Sequence, residues 1–304
     1  MSGIVVFVNP RSGRGRTAEV WEAVRGGQAR LRDAVVICVA DRDRAAAALA
    51  DALRQPVDRV LVVGGDGTMH LVANVVLEQP AARRPALAVL PAGTGSDLAR
   101  TLRIPTHADR AARLACDGAA RPLDVLRLET VDGRRRHVLN VASAGISGLV
   151  DEAVNALPRR TTLSYLGATL GAVFRYRPAP CRVSVDGEPW HNGPVLLVAV
   201  ANGPCFGRGM RVAPDARVDD GLADVVLVQP VARWALPFRL PQIYRGSHVR
   251  LSFVRASRGR TVTLEPAPGF PAFDLDGEVF PAATVTITVM PAALQVIAGE
   301  KTAP

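Results

Sequence analysis

Lysine is almost absent from this sequence. Lys301 is the only one, and arginine carries the rest of the positive charge. The skew fits a GC-rich coding bias, so the formal net charge of +9 leaves two readings open. It favours phosphate-bearing partners such as nucleotides, nucleic acid or anionic membrane, or it is a by-product of composition. The arginines are scattered, with no dense run interleaved with aromatics, which gives nucleic-acid binding no support. Aromatics are scarce at 5%. The four cysteines, Cys38, Cys116, Cys181 and Cys205, are far apart and form no CxxC pair. Neither a zinc site nor a disulfide framework follows, and a reducing, cytoplasmic setting is the expectation. Cys38 lies in an apolar strand-like run and is expected to be a buried free thiol. No apolar stretch is long enough to span a bilayer, and no signal peptide is expected ahead of the first strand. Any membrane contact is then peripheral. The P-loop pattern GxxxxGK[ST] is missing too.

What remains is a core-forming α/β composition. The 304 residues are 48% hydrophobic and rich in Ala, Val, Leu, Gly and Pro, enough for one large or two medium domains. Short apolar strands at Ile4–Val8, Val35–Val39, Val60–Val63 and Leu87–Leu90 alternate with helical stretches. Those are Thr17–Leu31, Arg44–Leu53, Met69–Leu77, Leu98–Leu102 and Ala108–Ala115. That alternation predicts a parallel sheet covered on both faces. After about Pro122 the pattern changes to strands at 123–128, 138–142, 182–185, 195–201, 223–228, 249–253, 261–264 and 285–289. Asp-Gly turns separate several of them, which predicts an antiparallel β-rich second domain. Helical inserts are expected near 150–157, 163–174 and 234–244. The expected division is 1–122, 123–290 and a final segment 291–304 that is able to return to the first domain.

Three glycine loops follow the first, third and fourth strands: Asn9-Pro10-Arg11-Ser12-Gly13-Arg14-Gly15, Gly64-Gly65-Asp66-Gly67-Thr68 and Pro91–Asp97. The carboxyl ends of parallel strands share one crevice, so the three loops are expected to converge there. Glycine lets successive N–H groups approach phosphate oxygens, and helix N-termini add positive potential. Ordinary βα turns explain one such loop better than three. Asp66 is out of place beside a phosphate; a bridging Mg²⁺ or a hydrogen-bonding role resolves it. A dinucleotide fingerprint, Gly13-x-Gly15-x-x-Ala18 with Asp41 as ribose acid, is a rival. It needs a tighter turn than Asn9–Ser12 allows and leaves the other two loops unexplained.

Taken together, these motifs resemble the diacylglycerol kinase catalytic family, which also includes sphingosine kinases and bacterial lipid kinases. The family patterns NPxSGxG, GGDGTxxE and LPxGTxND match Asn9–Gly15, Gly64–Thr68 and Leu90–Asp97. Asn140–Gly145, Asn202-Gly203 with Gly207, Gly209, Met210 and Pro214, Asp219–Leu222, and Asp276-Gly277-Glu278 continue the likeness. The sequence departs from the patterns at Leu71 (Glu in the family), Ser96 (Asn) and Arg208 (Gly).

The resemblance implies a two-domain NAD kinase/diacylglycerol kinase-like fold: a three-layer α/β domain and a C-terminal antiparallel β-sandwich-like domain. It implies an ATP- and Mg²⁺-dependent lipid kinase. Asn9, Pro10, Arg11, Ser12, Gly13, Gly64, Gly65, Gly67, Thr68 and Thr94 would bind the nucleotide. Asp66 and Asp97 would organise the catalytic Mg²⁺. Asp220, with the backbone carbonyls of Arg217 and Leu222, would hold a structural Mg²⁺. Glu278 would be the general base, arriving from the second domain at an interdomain cleft. The partner would be a lipid at the membrane surface, with 163–174 or 234–244 as bilayer-facing segments if they are not core; a homodimer is left open. The rivals are an NAD kinase, whose Asn-Glu pair after the loop is missing, a sphingoid-base kinase, and a catalytically impaired lipid- or nucleotide-binding regulator suggested by Leu71.

Overall fold

The computed structural model describes residues 3–93, 96–155, 167, 171–172 and 175–300. The chain divides into two compact units, Met1–Val125 with Pro291–Pro304, and Leu126–Met290.

In the first unit, strands β1 (Ile4–Val8), β2 (Val35–Cys38), β3 (Arg59–Gly64) and β4 (Ala86–Pro91) form a parallel sheet ordered β2-β1-β3-β4. Helices α1 (Thr17–Arg25), α2 (Arg42–Ala52), α3 (Asp66–Leu77), α4 (Asp97–Thr101) and α5 (Ala108–Asp117) connect and cover it, and β5 (Ala120–Thr130) follows. Every residue of β1 is buried, as expected of a strand covered on both faces. The edge strand β2 is different. Val35, Val36 and Cys38 are exposed, so the expectation of a buried Cys38 thiol was wrong. An apolar run does not reveal that its strand lies at an edge with one face uncovered. Helix α1 buries Thr17, Trp21 and Val24 at helical spacing, and it stops at Arg25 rather than Leu31. Asp41 caps α2 by accepting the amide of Arg44 at 2.9 Å, an N-cap contact that explains its position without a ribose.

The last strand, β16 (Val285–Ile297), begins in the second unit and ends in the first, where Val296 pairs parallel with Leu87. Buried Asp124 accepts the amide of Ala292 at 2.7 Å, and Arg84 donates to the Ala293 carbonyl at 2.9 Å.

The second unit is built from antiparallel strands. Between β5 and β16 run β6 (Arg135–Val138), β7 (Val141–Gly145), β8 (Ala179–Val185), β9 (Glu188–Val195), β10 (Leu197–Ala201), β11 (Ala223–Val228), β12 (Val254–Gly259), β13 (Thr261–Pro266), β14 (Phe273–Leu275) and β15 (Glu278–Phe280). One sheet is ordered β12-β11-β10-β7-β14-β15. The other contains β16-β13-β8-β9 with β5 and β6. Leu126, Val183, Val198, Leu227, Leu264, Phe273 and Ile287 fill one core drawn from both sheets. The expected strand 249–253 is absent; Ser247–Arg250 is a 3-10 turn and the strand begins at Val254. Helix α6 (Ile146–Asn155) follows β7, and α7 (Leu236–Arg245) follows β11. Most of the expected helix 163–174 lies outside the described residues. Among the described residues no helix is long and apolar enough to cross a membrane.

Candidate active site

The three strand-end loops of the first unit are tied to one another. Asn9, just past β1, donates from Nδ2 to Thr68 Oγ1 at 3.0 Å. Ser12 Oγ shares a hydrogen bond with the same Thr68 oxygen at 3.1 Å. Asn9 Oδ1 accepts the amide of Arg11 at 3.0 Å and sets the loop's first turn. Thr68 is thus a buried hub joining the first loop to the second. Gly13, at φ +58°, passes so close to the third loop that an added Cβ would stand 2.0 Å from the Ala92 carbonyl oxygen. Only glycine meets both conditions at that point. Ala92 in turn donates its amide to the Gly64 carbonyl at 3.0 Å. The structure therefore brings Asn9, Ser12, Gly13, Gly64 and Thr68 together, with Pro10 and exposed Arg11 on the same turn. Thr94 lies outside the described residues.

The second loop is shorter than the sequence suggested. Helix α3 begins at Asp66, not Met69, so Asp66, Gly67 and Thr68 form its first turn behind an extended Gly65. A helix's first turn supplies no internal acceptors for its leading amides, which suits it to anions. Gly67 is exposed, its φ is not positive, and an added Cβ would meet nothing within 4 Å among the described residues. Neither conformation nor packing against the described residues requires glycine there. Open space over a helix N-terminus is what a closely approaching phosphate needs.

Asp66 turns away from that role. Its Oδ2 accepts the amide of Asp97 at 2.9 Å, and its Oδ1 accepts that of Leu98 at 3.2 Å. The carboxylate that was awkward beside a phosphate therefore caps α4, and the hydrogen-bonding alternative is the one seen. Asp97 is buried and pairs with Arg100 at 2.7 Å. Leu71, where the family pattern has Glu, is half-buried one turn beyond Gly67.

The second unit holds the other acids. Strands β14 and β15 make a hairpin whose turn residues, Asp276 and Gly277, have φ +54° and +88°. Positive φ at both positions is the signature of the tightest hairpin turns. The Asp276 carboxylate accepts three successive amides, from Leu139 at 2.7 Å, Asn140 at 3.0 Å and Val141 at 2.9 Å. Buried Asp274, which sequence reasoning missed, accepts from Gly277 N at 2.7 Å and Ser143 Oγ at 3.1 Å. These bonds fix the turn that presents Glu278, the first residue of β15. Asn202 donates to the Leu139 carbonyl at 2.8 Å and steadies the same segment. Gly207, Arg208 and Gly209 all have positive φ, so Arg208 keeps the left-handed backbone of the glycine it stands in for.

Asp220 is engaged by a cation that the chain itself supplies. Its Oδ2 accepts from Arg258 Nη2, and the Arg258 Nε lies 3.3 Å from Asp224 Oδ2. Asp220 Oδ1 takes the amide of Leu222 at 3.2 Å. The hydrogen bond to Asp220, first of all, raises the Arg258 pKa above its ordinary value. Burial pushes that of Asp224 up, against the pull of the same guanidinium. Arg217 pairs with Asp219 at 3.7 Å. Both Asp220 oxygens thus have partners, so this arrangement does not fit the structural Mg²⁺ that the resemblance implies. Among the described residues no group of three or more His, Cys, Asp or Glu side chains is arranged to hold a metal.

A parallel-sheet unit with three linked strand-end loops and a second unit of antiparallel sheets together make the NAD kinase/diacylglycerol kinase-like fold. The comparisons agree. Residues 3–128 match the diacylglycerol kinase catalytic domain, and residues 140–298 match the YegS C-terminal NAD kinase beta sandwich-like domain. A diacylglycerol kinase of Mycobacterium tuberculosis is 32% identical over 97% of this chain and 94% of its own. A Pectobacterium atrosepticum protein named "Probable lipid kinase YegS-like" is 30% identical over 80% and 79%. In fold, a diacylglycerol kinase from Bacillus anthracis superposes with TM-score 0.74 at 20% identity, covering 98% of this chain and 97% of its own. Yeast NADH kinase does so at 0.51 and 11%, covering 98% and 84%. The chain belongs to the diacylglycerol kinase family of lipid kinases, together with its YegS-like members.

Proposed function

We propose that this chain transfers the γ-phosphate of ATP to a hydroxyl of a lipid such as diacylglycerol. One observation carries the nucleotide half of that reading. Three strand-end loops are locked together through Thr68, Gly13 and Asp66, and they leave Gly67 bare at a helix N-terminus. The loop residues Asn9–Gly13, Gly64, Gly65, Gly67, Thr68 and Thr94 hold the phosphates, with Arg11 as the exposed cation. Asp66, with both carboxylate oxygens on backbone amides, and Asp97, paired with Arg100, order the loops around the nucleotide rather than offer open oxygens to Mg²⁺. Mg²⁺ bound with the nucleotide supplies charge neutralisation on the phosphates. Glu278 takes the proton from the acceptor hydroxyl, a role supported by its motif and by the hydrogen-bonded turn that presents it.

Phosphoryl transfer is mostly positioning and charge neutralisation, and a general base adds on the order of 10²–10⁴ in rate. The test is label transfer from γ-labelled ATP into an organic extract. Diacylglycerol, a sphingoid base and a phosphatidylglycerol-type lipid are offered separately, with NAD in a parallel aqueous assay. Glu278→Gln is expected to keep nucleotide binding and lose turnover by that factor. Label in the aqueous NAD product alone would overturn the lipid reading, and near-normal turnover in Glu278→Gln would remove the base.

A further inference from the structure

We propose that the segment from Trp234 to Arg245 is the surface by which this chain docks on an anionic lipid bilayer. The inference deepens the functional reading and rests on its lipid acceptor. Among the described residues, Trp234, Phe238 and Tyr244 are the exposed large aromatics, at 73%, 77% and 45% exposure. All three lie on the 3-10 turn Arg233–Ala235 and the helix α7 that follows it.

Their spacing makes a face. Phe238, Pro241 and Arg245 fall three and four residues apart on one side of the helix, Trp234 stands on the turn that leads into it, and all four are exposed. The other side is anchored. Leu236 packs into the unit's second apolar cluster, and the Ile243 carbonyl accepts the amide of Arg211 at 3.1 Å. Gly246, at φ +73°, ends the helix. The aromatics therefore point away from the core on a helix that is itself fixed to it.

The charge says what covers this face. From Val225 to Leu264 there is no Asp or Glu, and there are seven arginines. Arg255 stacks on Trp190, and Arg258 is held by Asp220 and Asp224. Arg239, Arg245 and Arg250 are exposed and make no ion pair among the described residues. The loop packed beside the helix, residues 210–216, contributes a single acid, Asp215. Exposed aromatics on a segment whose exposed arginines make no ion pair among the described residues complement the interface of a bilayer with anionic headgroups. A protein partner of matching acidity, or a second copy of this chain, is the competing occupant, and the test separates them.

The full chain is sedimented with vesicles of phosphatidylcholine alone or with phosphatidylglycerol added, without nucleotide or acceptor lipid. Binding is expected only with phosphatidylglycerol and is expected to weaken as salt rises. The double variant Trp234→Ser/Phe238→Ser and the double variant Arg239→Gln/Arg245→Gln should each lose roughly tenfold or more in partition. Val131→Ser, at an exposed turn elsewhere, should lose nothing. Melting curves confirm that the variants fold. Unchanged vesicle binding in both double variants overturns the proposal. So does loss of self-association in lipid-free size exclusion on replacing Trp234 and Phe238. Kinase activity on detergent-dispersed acceptor separates this failure from that of the function: activity without vesicle binding sinks only the docking surface.

Discussion

Asp66 is the residue whose replacement tests the site most directly, because the structure gives it work that is separate from chemistry. Its carboxylate accepts the amides of Asp97 and Leu98 and so caps α4 onto the first turn of α3. A hydrogen bond to a charged group contributes about 1.5–3 kcal/mol, and Asp66 is only half-buried. Asp66→Ala should therefore cost the first unit roughly 2–4 kcal/mol, and Asp66→Asn, which keeps one acceptor, about half of that. For a unit of this size that is a fall in melting temperature of roughly 4–16 °C for the alanine variant. Two units need not unfold as one, so the probe must belong to the first. Trp21 is buried there, and replacing Trp190 and Trp234 with Phe makes it the sole indole reporter. Urea titrations of its fluorescence should give midpoints in the order wild type, Asn, Ala. Nucleotide affinity, read with a fluorescent ATP analogue, should fall in the same order as the loops loosen. A midpoint for Asp66→Ala within error of wild type would refute the capping argument and leave Asp66 a purely catalytic acid.

Gly13→Ala and Gly67→Ala should part company: the first forces a Cβ onto the Ala92 carbonyl at positive φ and lowers the melting temperature, while the second leaves melting unchanged and weakens nucleotide binding. Differential scanning with a parallel nucleotide titration checks both. Because Arg258 balances Asp220 and Asp224, EDTA should leave the melting curve of the nucleotide-free protein unchanged. Arg258→Met should lose about 1–2 kcal/mol and become stabilised by added Mg²⁺; an EDTA-sensitive wild type would restore the metal reading. His248 is buried, and burial lowers its pKa below the ordinary 6.5 against the hydrogen bond to the Val212 carbonyl. The unfolded chain then binds the proton first, so stability is complete above pH 6.5 and is lost as pH falls towards the lowered value. His248→Gln should flatten that part of a melting-temperature profile taken from pH 7.5 to 5.

The first unit was legible because β1, β3 and β4 are buried on both faces and appear as unbroken apolar runs between helices. In the second unit the expected strands at 123–128, 182–185, 195–201, 223–228, 261–264 and 285–289 are present, and the ones that escaped did so for physical reasons. Strand β9 carries Pro189, Gly193 and Pro194 and looks like a loop, yet it forms because it is an edge strand, where a missing donor is tolerated. Strands β14 and β15 are three residues each, too short for any periodicity, and are held by side-chain bonds to Asp274 and Asp276. The run 249–253 alternates like a strand, but Gly246 and the His248 bond to Val212 fold its start into a 3-10 turn.

The same division runs through the site. Motifs written within a few residues, such as Asn9–Gly13 and Gly64–Thr68, could be read; what their side chains bind could not. Asp66 reaches amides 31 and 32 positions away, Asp276 reaches amides 135 to 137 away, and Arg258 reaches Asp220 across 38. No spacing rule encodes such contacts, since they depend on how strands order in a sheet. A motif acid therefore declares that a carboxylate is needed, and only its partners say for what. Asp66 and Asp276 spend theirs on backbone amides and Asp220 on a guanidinium. Glu278 follows a turn that Asp274 and Asp276 hold rigid, and rigid presentation is what a proton acceptor requires of its neighbours. The proposed role of Glu278 therefore rests on its motif and on that turn, and a Glu278→Gln variant with near-normal turnover would remove it.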